Sequence, residues 1–127
     1  MSRIVLDASA VLALLNNEHG SKTVELNIHK GLISAVNLSE VITVLGNIGM
    51  SHHEAIKLTD DLLSEVISFD KEQAAIAAEM RGITKSFGLS LGDRACLALA
   101  KSKKLSVLTA DAVWTKLNIG VAVQLIR

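Results

Sequence analysis

The chain alternates short apolar runs that favour extended backbone with longer stretches whose apolar positions recur every three or four residues. The first run, Arg3-Ile4-Val5-Leu6-Asp7-Ala8-Ser9, carries three β-favouring residues straight into an aspartate, and the helix-forming segment Ala8 to Leu15 follows at once. The pattern returns near the other end as Ser106-Val107-Leu108-Thr109-Ala110-Asp111, followed by a helical-looking stretch over 112–117. In between, Gly20-Ser21 opens a helix with Val24 and Ile28 on one face, and Gly31 ends it before a brief strand, Leu32-Ile33-Ser34. Asn37-Leu38-Ser39-Glu40 has the spacing of a capping box, and the helix it predicts carries the stripe Val41, Val44, Leu45 and Ile48, weakened at its far end by Gly46 and Gly49. A helix from Ser51 carries Ala55, Leu58, Leu62 and Leu63; Val66-Ile67-Ser68-Phe69 reads as a third strand. Asp70 caps an alanine-rich helix over 71–87, which Gly82 is expected to interrupt. After a turn at Gly88-Leu89, Ser90-Leu91-Gly92-Asp93 begins a helix that runs to about Lys103, and Val121 to Leu125 forms the last strand. Strands alternating with helices predict an α/β fold with a parallel sheet covered on both faces. No linker, repeat or low-complexity segment divides the chain, so residues 1–127 are expected to form one domain.

Composition narrows the functional classes. Half of the 127 residues are apolar and a fifth are charged, which opposes disorder and supports a substantial core. The 13 basic and 13 acidic side chains cancel, so binding to nucleic acid would need a local basic patch. With Trp114, Phe69 and Phe87 as the only aromatic residues, the chain has almost no platform for stacking single-stranded bases. A single cysteine, Cys96, forms no intramolecular disulfide and suits a reducing cytoplasm; it reads as a buried small hydrophobe. Charges at Arg3 and Asp7 leave no room for a signal-peptide apolar region, and no apolar run is long enough for a membrane span.

Four carboxylates stand out: Asp7, Glu40, Asp93 and Asp111. Each falls at an expected helix start, where an acid caps free backbone N–H groups and opposes the positive helix end, worth roughly 0.3–1 kcal/mol. In a parallel sheet, strand ends and the helix starts that follow them share one edge, where ligands collect. Two carboxylates about 4 Å apart repel by roughly 4 kcal/mol at an effective dielectric near 20. Four at one edge call for a counter-charge, and a hard divalent cation, Mg²⁺ or Mn²⁺, suits oxygen ligands. Such an ion can generate hydroxide and neutralise a phosphate under attack, the chemistry of an acidic nuclease without catalytic His or Cys.

The residues also carry a family resemblance. Val5-Leu6-Asp7-Ala8-Ser9-Ala10, Asn37-Leu38-Ser39-Glu40-Val41, Leu89-Ser90-Leu91-Gly92-Asp93-Arg94 and Leu108-Thr109-Ala110-Asp111 with Trp114 resemble the four blocks of PIN-domain ribonucleases, and more narrowly the VapC toxins of bacterial toxin–antitoxin pairs. The resemblance runs from Ile4 to the closing Val123-Gln124-Leu125-Ile126-Arg127. It implies a PIN-like three-layer α/β/α fold around a parallel sheet of four to five strands. It further implies a Mg²⁺-dependent endoribonuclease whose acids are Asp7, Glu40, Asp93 and Asp111, a homodimer, inhibition by a small antitoxin, and a structured RNA substrate such as tRNA. Many members of that family carry a basic residue after the fourth acid, where this chain has Ala112, so a substrate contact there is missing while the ligands remain.

Within that reading Asp7 and Asp93 are assigned most of the metal binding, with Asp111 completing the site directly or through water. Glu40 is a ligand or the group that orients attacking water. Ser9 and Thr109 are expected to hydrogen-bond the ligands, against the alternative of plain helix-start and strand-end chemistry. Arg94 is a candidate phosphate clamp, or else a solvated helix arginine. Arg81, Lys85, Lys101, Lys103 and Lys104 are candidate RNA-backbone contacts, with a solvated face as the stronger reading for the lysine run. His52 and His53 are adjacent and read as surface or capping residues; Trp114 reads as packing for the last helix. The stripes Leu12, Leu15, Val41, Val44, Leu45 and Ile48 exceed what a small sheet covers, and the surplus is expected to form a groove for an antitoxin segment. Two competitors are a catalytically inactive PIN-like interaction module and a receiver-like phosphoacceptor domain. For the latter, Asp70 after the third strand fits, but no lysine follows the fifth.

Overall fold

Three-residue and four-residue strands with helices between them assemble into one sheet whose three inner strands are buried, while the two edge strands stay partly exposed. In the computed structural model, which describes residues 2–127, β1 (Ile4–Leu6) leads into α1 (Ala8–Leu15), α2 (Ser21–Asn27), β2 (Gly31–Ser34), α3 (Ala35–Asn47), α4 (His52–Leu62) and β3 (Glu65–Ile67). The second half contains α5 (Lys71–Thr84), α6 (Leu91–Lys103), β4 (Ser106–Thr109) and β5 (Val123–Leu125). The five strands lie in the order β3-β2-β1-β4-β5, and every pairing is parallel. β1 is central, with Val5 opposite both Leu32 and Val107.

Alternation along each strand divides the core in two. Ile4, Leu6, Ile33 and Leu108 point to one face, where Val11, Val24, Val41, Leu45 and Ala55 of α1 to α4 cover them. Val5, Leu32 and Val107 point to the other, against Met80 of α5 and Cys96, Leu97, Leu99 and Ala100 of α6. Trp114 is fully buried on this second side, in the packing role expected of it. The expected three-layer α/β/α arrangement is the observed one, with five strands.

Several element boundaries differ from the sequence reading, each for a physical reason. Asn37 does not cap α3: β2 turns directly into the helix at Ser34, whose hydroxyl accepts from the Val36 amide at 3.2 Å. Glu40 therefore lies in the second turn of α3 rather than forming a capping box at its start. β3 stops at Ile67 because it is an edge strand paired only with β2, and β2 ends at Ser34, opposite Ile67. α5 passes through Gly82 without a break to Thr84, and residues 85–87 form a 3₁₀ turn. Residues 112–116 are likewise a 3₁₀ turn. The helix from Ser90 has the capping box its sequence suggests: Asp93 N–H donates to Ser90 Oγ at 3.2 Å, and Ser90 N–H donates to Asp93 Oδ2 at 2.9 Å.

The helix start at Ser34 has a measurable consequence. Ser34→Ala removes a buried cap and should lower the unfolding free energy by about 1 kcal/mol in urea denaturation, within the 0.5–2 kcal/mol range of such losses.

Candidate active site

Asp7 ends β1 at the carboxyl edge of the sheet, and its side chain is only 5% exposed. An aspartate so placed could cap α1, yet no side-chain cap is made. Instead its Oδ2 accepts from Ser9 Oγ at 2.6 Å and from Thr109 Oγ1 at 2.8 Å. Each hydroxyl has a second tie: Ser9 Oγ accepts from the Ala110 amide at 3.0 Å, and Thr109 Oγ1 from the Asp111 amide at 3.1 Å. The two hydroxyls thus bind the ends of neighbouring strands β1 and β4 together through one carboxylate oxygen. Among the described residues no protein donor reaches the other oxygen, Oδ1.

Burial pushes the Asp7 carboxyl up to about 6, against the Ser9 and Thr109 hydrogen bonds that favour its charge; Asp93 and Glu40 push it further in the same direction. The same three acids, after burial itself, raise the Cys96 thiol, which lies fully buried on α6 one turn beyond Asp93. Asp7, Glu40 and Asp93 therefore share one electrostatic neighbourhood although 86 positions separate the first from the last.

Glu40 reaches that neighbourhood by crossing from α3 to the first turn of α6. Asn37, one turn earlier and fully buried, donates to Glu40 Oε1 at 2.8 Å and to the Gly92 carbonyl at 2.9 Å. Gly92 leaves the space: a Cβ there would overlap the Glu40 carboxylate. The sequence assigned Asn37 only a capping role, which Ser34 takes instead, and Gly92 no role at the site. The available signal was the i, i+3 spacing of Asn37 and Glu40, which places them on one helix face, and a glycine in a helix's first turn.

Asp111 sits on the same edge but is turned aside. It is exposed, its Oδ1 accepts from the Val113 amide at 3.0 Å, and it does not contribute to the shift of Asp7. Asp93 is half-buried and engaged in its own capping box. As the side chains stand, no three His, Cys, Asp or Glu among the described residues are grouped closely enough to hold an ion.

Other candidates are distributed differently. The Arg94 guanidinium donates to the Ala77 carbonyl of α5 at 3.0 Å, tying two helices, and makes no ion pair among the described residues. Lys101 and Lys103 end α6 and Lys104 caps it, about 12–17 Å of helix from Asp93, and they do not join the acids. Arg81 and Lys85 close α5 on the side where α6 begins. His52 and His53 are exposed at the start of α4. Asp70 caps α5 through the Gln73 amide at 2.9 Å, beside an edge strand, which removes the phosphoacceptor placement a receiver-like domain needs. The apolar stripes split: Val41 and Leu45 are core, Leu12, Leu15 and Val44 are half-buried, and Ile48 is 63% exposed. An open groove of about 460 Å³ lies on a different face of α3, lined by Ala35, Leu38, Ile42, Gly46 and His52.

A parallel α/β/α fold that gathers carboxylates at the carboxyl end of its central strand defines a class of acid-edged domains. Comparison then gives the family: a PIN domain profile matches residues 4–119, and the chain belongs to the PIN domain family. Comparison with curated protein sequences gives no match. Among solved structures the chain is similar to the DNA-bound VapBC of Salmonella typhimurium, at 19% identity over 100% of both chains with a TM-score of 0.76. It is also similar to FitAcB of Neisseria gonorrhoeae, at 22% identity over 94% of this chain and 95% of that one with a TM-score of 0.71. A third is Mycobacterium tuberculosis VapC20, described as a sarcin–ricin loop cleaving toxin, at 17% identity over 89% and 93% with a TM-score of 0.73.

The pH dependence of stability follows from Asp7. Its folded pKa of about 6 lies above the unfolded value of 3.8, so between those values the folded chain holds the proton more tightly, and stability falls as pH rises through this window. In chelator, the Asp7→Asn variant should gain on the wild type by up to roughly 3 kcal/mol between pH 4 and pH 7, measured by urea unfolding. A pH-independent difference between the two would show that folding does not raise the Asp7 pKa.

Proposed function

We propose that this PIN domain is a metal-dependent endoribonuclease, the toxin of a type II toxin–antitoxin pair, which hydrolyses phosphodiester bonds in structured RNA such as tRNA. The observation that carries the reading is the shared electrostatic neighbourhood of Asp7, Glu40 and Asp93 at the end of β1. None of these acids is paired with a base: the ion pairs among the described residues are Arg3–Glu65, Lys57–Asp61 and Arg127–Glu18, all elsewhere. An all-oxygen set with excess negative charge, and an Asp7 oxygen that no protein donor reaches, fits a hard cation such as Mg²⁺ or Mn²⁺. Asp7, Asp93 and Asp111 would hold it, with Glu40 as a further ligand. Asp93 and Asp111, which accept the Ser90 and Val113 amides, would join Asp7 as ligands. Bound there, the ion supplies an activated water and offsets the charge of the phosphate under attack.

The chain's own groups divide the remaining work. Ser9 and Thr109 keep Asp7 Oδ2 engaged, which fixes the direction in which Oδ1 is presented. Glu40 accepts a proton from, or orients, the attacking water. Arg81 and Lys85 are candidate contacts for substrate phosphates, and the Arg94 guanidinium, beside Asp93 in the chain, is held by the Ala77 carbonyl. The fold neighbours support the biological setting, since the VapBC family is one of toxin–antitoxin systems. By that likeness the chain acts as a homodimer restrained by a small antitoxin, and the groove along α3, with its apolar floor, suits an amphipathic antitoxin helix.

Purified chain incubated with tRNA and ribosomal RNA, with and without Mg²⁺, should give discrete new RNA ends only with the ion, and chelator should abolish them. Asp7→Asn should slow cleavage by more than about a hundredfold. Cleavage at the native rate by that variant would overturn the assignment. Expression together with its operon neighbour should yield a complex with a small protein; a chain that is stable and alone from its native operon would count against the antitoxin.

A further inference from the structure

Asn37 stands out among the buried polar groups. Its side-chain amide spends both protons, one on the Glu40 carboxylate and one on the Gly92 carbonyl, while its Oδ1 is buried without a partner among the described residues. The amide orientation is fixed by charge, because turning it over would set an oxygen against a carboxylate and a carbonyl. Leaving a buried acceptor unpaired is costly, and such a cost persists where the arrangement serves something else. Glu40 needs such help. It lies in the second turn of α3, with a long side chain free to adopt many rotamers, and it must reach across to α6. At the far side it meets the N-terminal turn of a thirteen-residue helix, where negative charge is favoured, over the one position without a side chain, Gly92.

We infer that Asn37 and Gly92 act together as a clamp that positions the Glu40 carboxylate on the first turn of α6, beside Asp7 and Asp93, so that it is available to a divalent cation. This rests on the metal-site reading above. Asn37 is a positioning residue, acting through Glu40; Gly92 acts by leaving room. The same geometry supplies a test that separates clamping from plain stability. The atom a new Cβ at Gly92 would meet is the far end of a flexible side chain, so Gly92→Ala displaces the Glu40 carboxylate while the helix itself tolerates alanine well.

The test measures Mn²⁺ binding to the full chain by calorimetry, with thermal unfolding in chelator as a check on folding. The proteins are wild type, Glu40→Ala, Asn37→Ala, Gly92→Ala and the two double variants that combine either with Glu40→Ala. Asn37→Ala and Gly92→Ala should each weaken Mn²⁺ binding about tenfold, in the 10–100-fold range for groups that hold a metal ligand in place. Added to Glu40→Ala, neither should weaken binding further, because the group they position is already gone. Full additivity in the double variants would overturn the clamp, as would wild-type affinity in both single variants. If Glu40→Ala itself binds Mn²⁺ like wild type, the failure lies with Glu40 as part of the metal site, and the clamp falls with it. Should Asn37→Ala fail to fold, the Gly92→Ala pair of proteins decides the question alone.

Discussion

A carboxylate buried at the end of a central strand is the constraint from which the arrangement of this protein follows. An ionised group removed from water is costly unless hydrogen bonds replace its hydration. Asp7 has two hydroxyl donors on one oxygen and rising repulsion from Glu40 and Asp93. The donors come from both sides of a strand junction: Ser9 follows β1 in sequence, and Thr109 ends the neighbouring strand β4. Each hydroxyl also holds a backbone amide of the segment after β4. The same few bonds therefore orient the acid and close the edge of the sheet, so site geometry and fold stability are not separable at this point.

The other two acids arrive on helices, from the two opposite layers of the molecule. α3 belongs to the layer packed on Leu6 and Ile33, α6 to the layer packed on Val5 and Val107. They meet at the carboxyl edge, where Asn37 joins them by two hydrogen bonds. Beneath them Cys96 is buried and its thiol is held in the neutral form by burial and by the acids, so it belongs to the core and not to the chemistry. The charge collected above it has no basic partner among the described residues. A folded state that tolerates such repulsion is less stable for it, a trade seen where a site is arranged for a ligand rather than for the fold.

Much of the fold was legible in the chain. Alternating apolar strands and periodic helices gave the parallel α/β class, and Asp7, Ser9, Thr109 and the Ser90–Asp93 box stood in local patterns whose physics acts within a few residues. Less legible were features where two local patterns competed. Asn37-Leu38-Ser39-Glu40 has the spacing of a capping box, but Ser34 three residues earlier does the capping, which frees Asn37 for a contact 55 residues away. Val66 to Phe69 had the composition of a four-residue strand, yet its length was set by where its partner β2 ended. The apolar stripe of α3 was visible, but which part was core and which faced a groove depended on where α1, α4 and the sheet lay against it.

By itself the sequence determined which segments extend, which coil, and which of them end in acids, because those choices depend on side chains within about one helical turn or two strand positions. Only the tertiary structure decided the strand order that sets β1 beside β4, the hydroxyl of Thr109 that reaches Asp7 across 102 positions, and the turning of Asp111 toward its own 3₁₀ turn. It alone revealed that Glu40 works from the second turn of a helix, held over a glycine on another. The reason is physical: convergence of charges is a property of distance in space, and packing across the sheet, not neighbourhood along the chain, sets that distance.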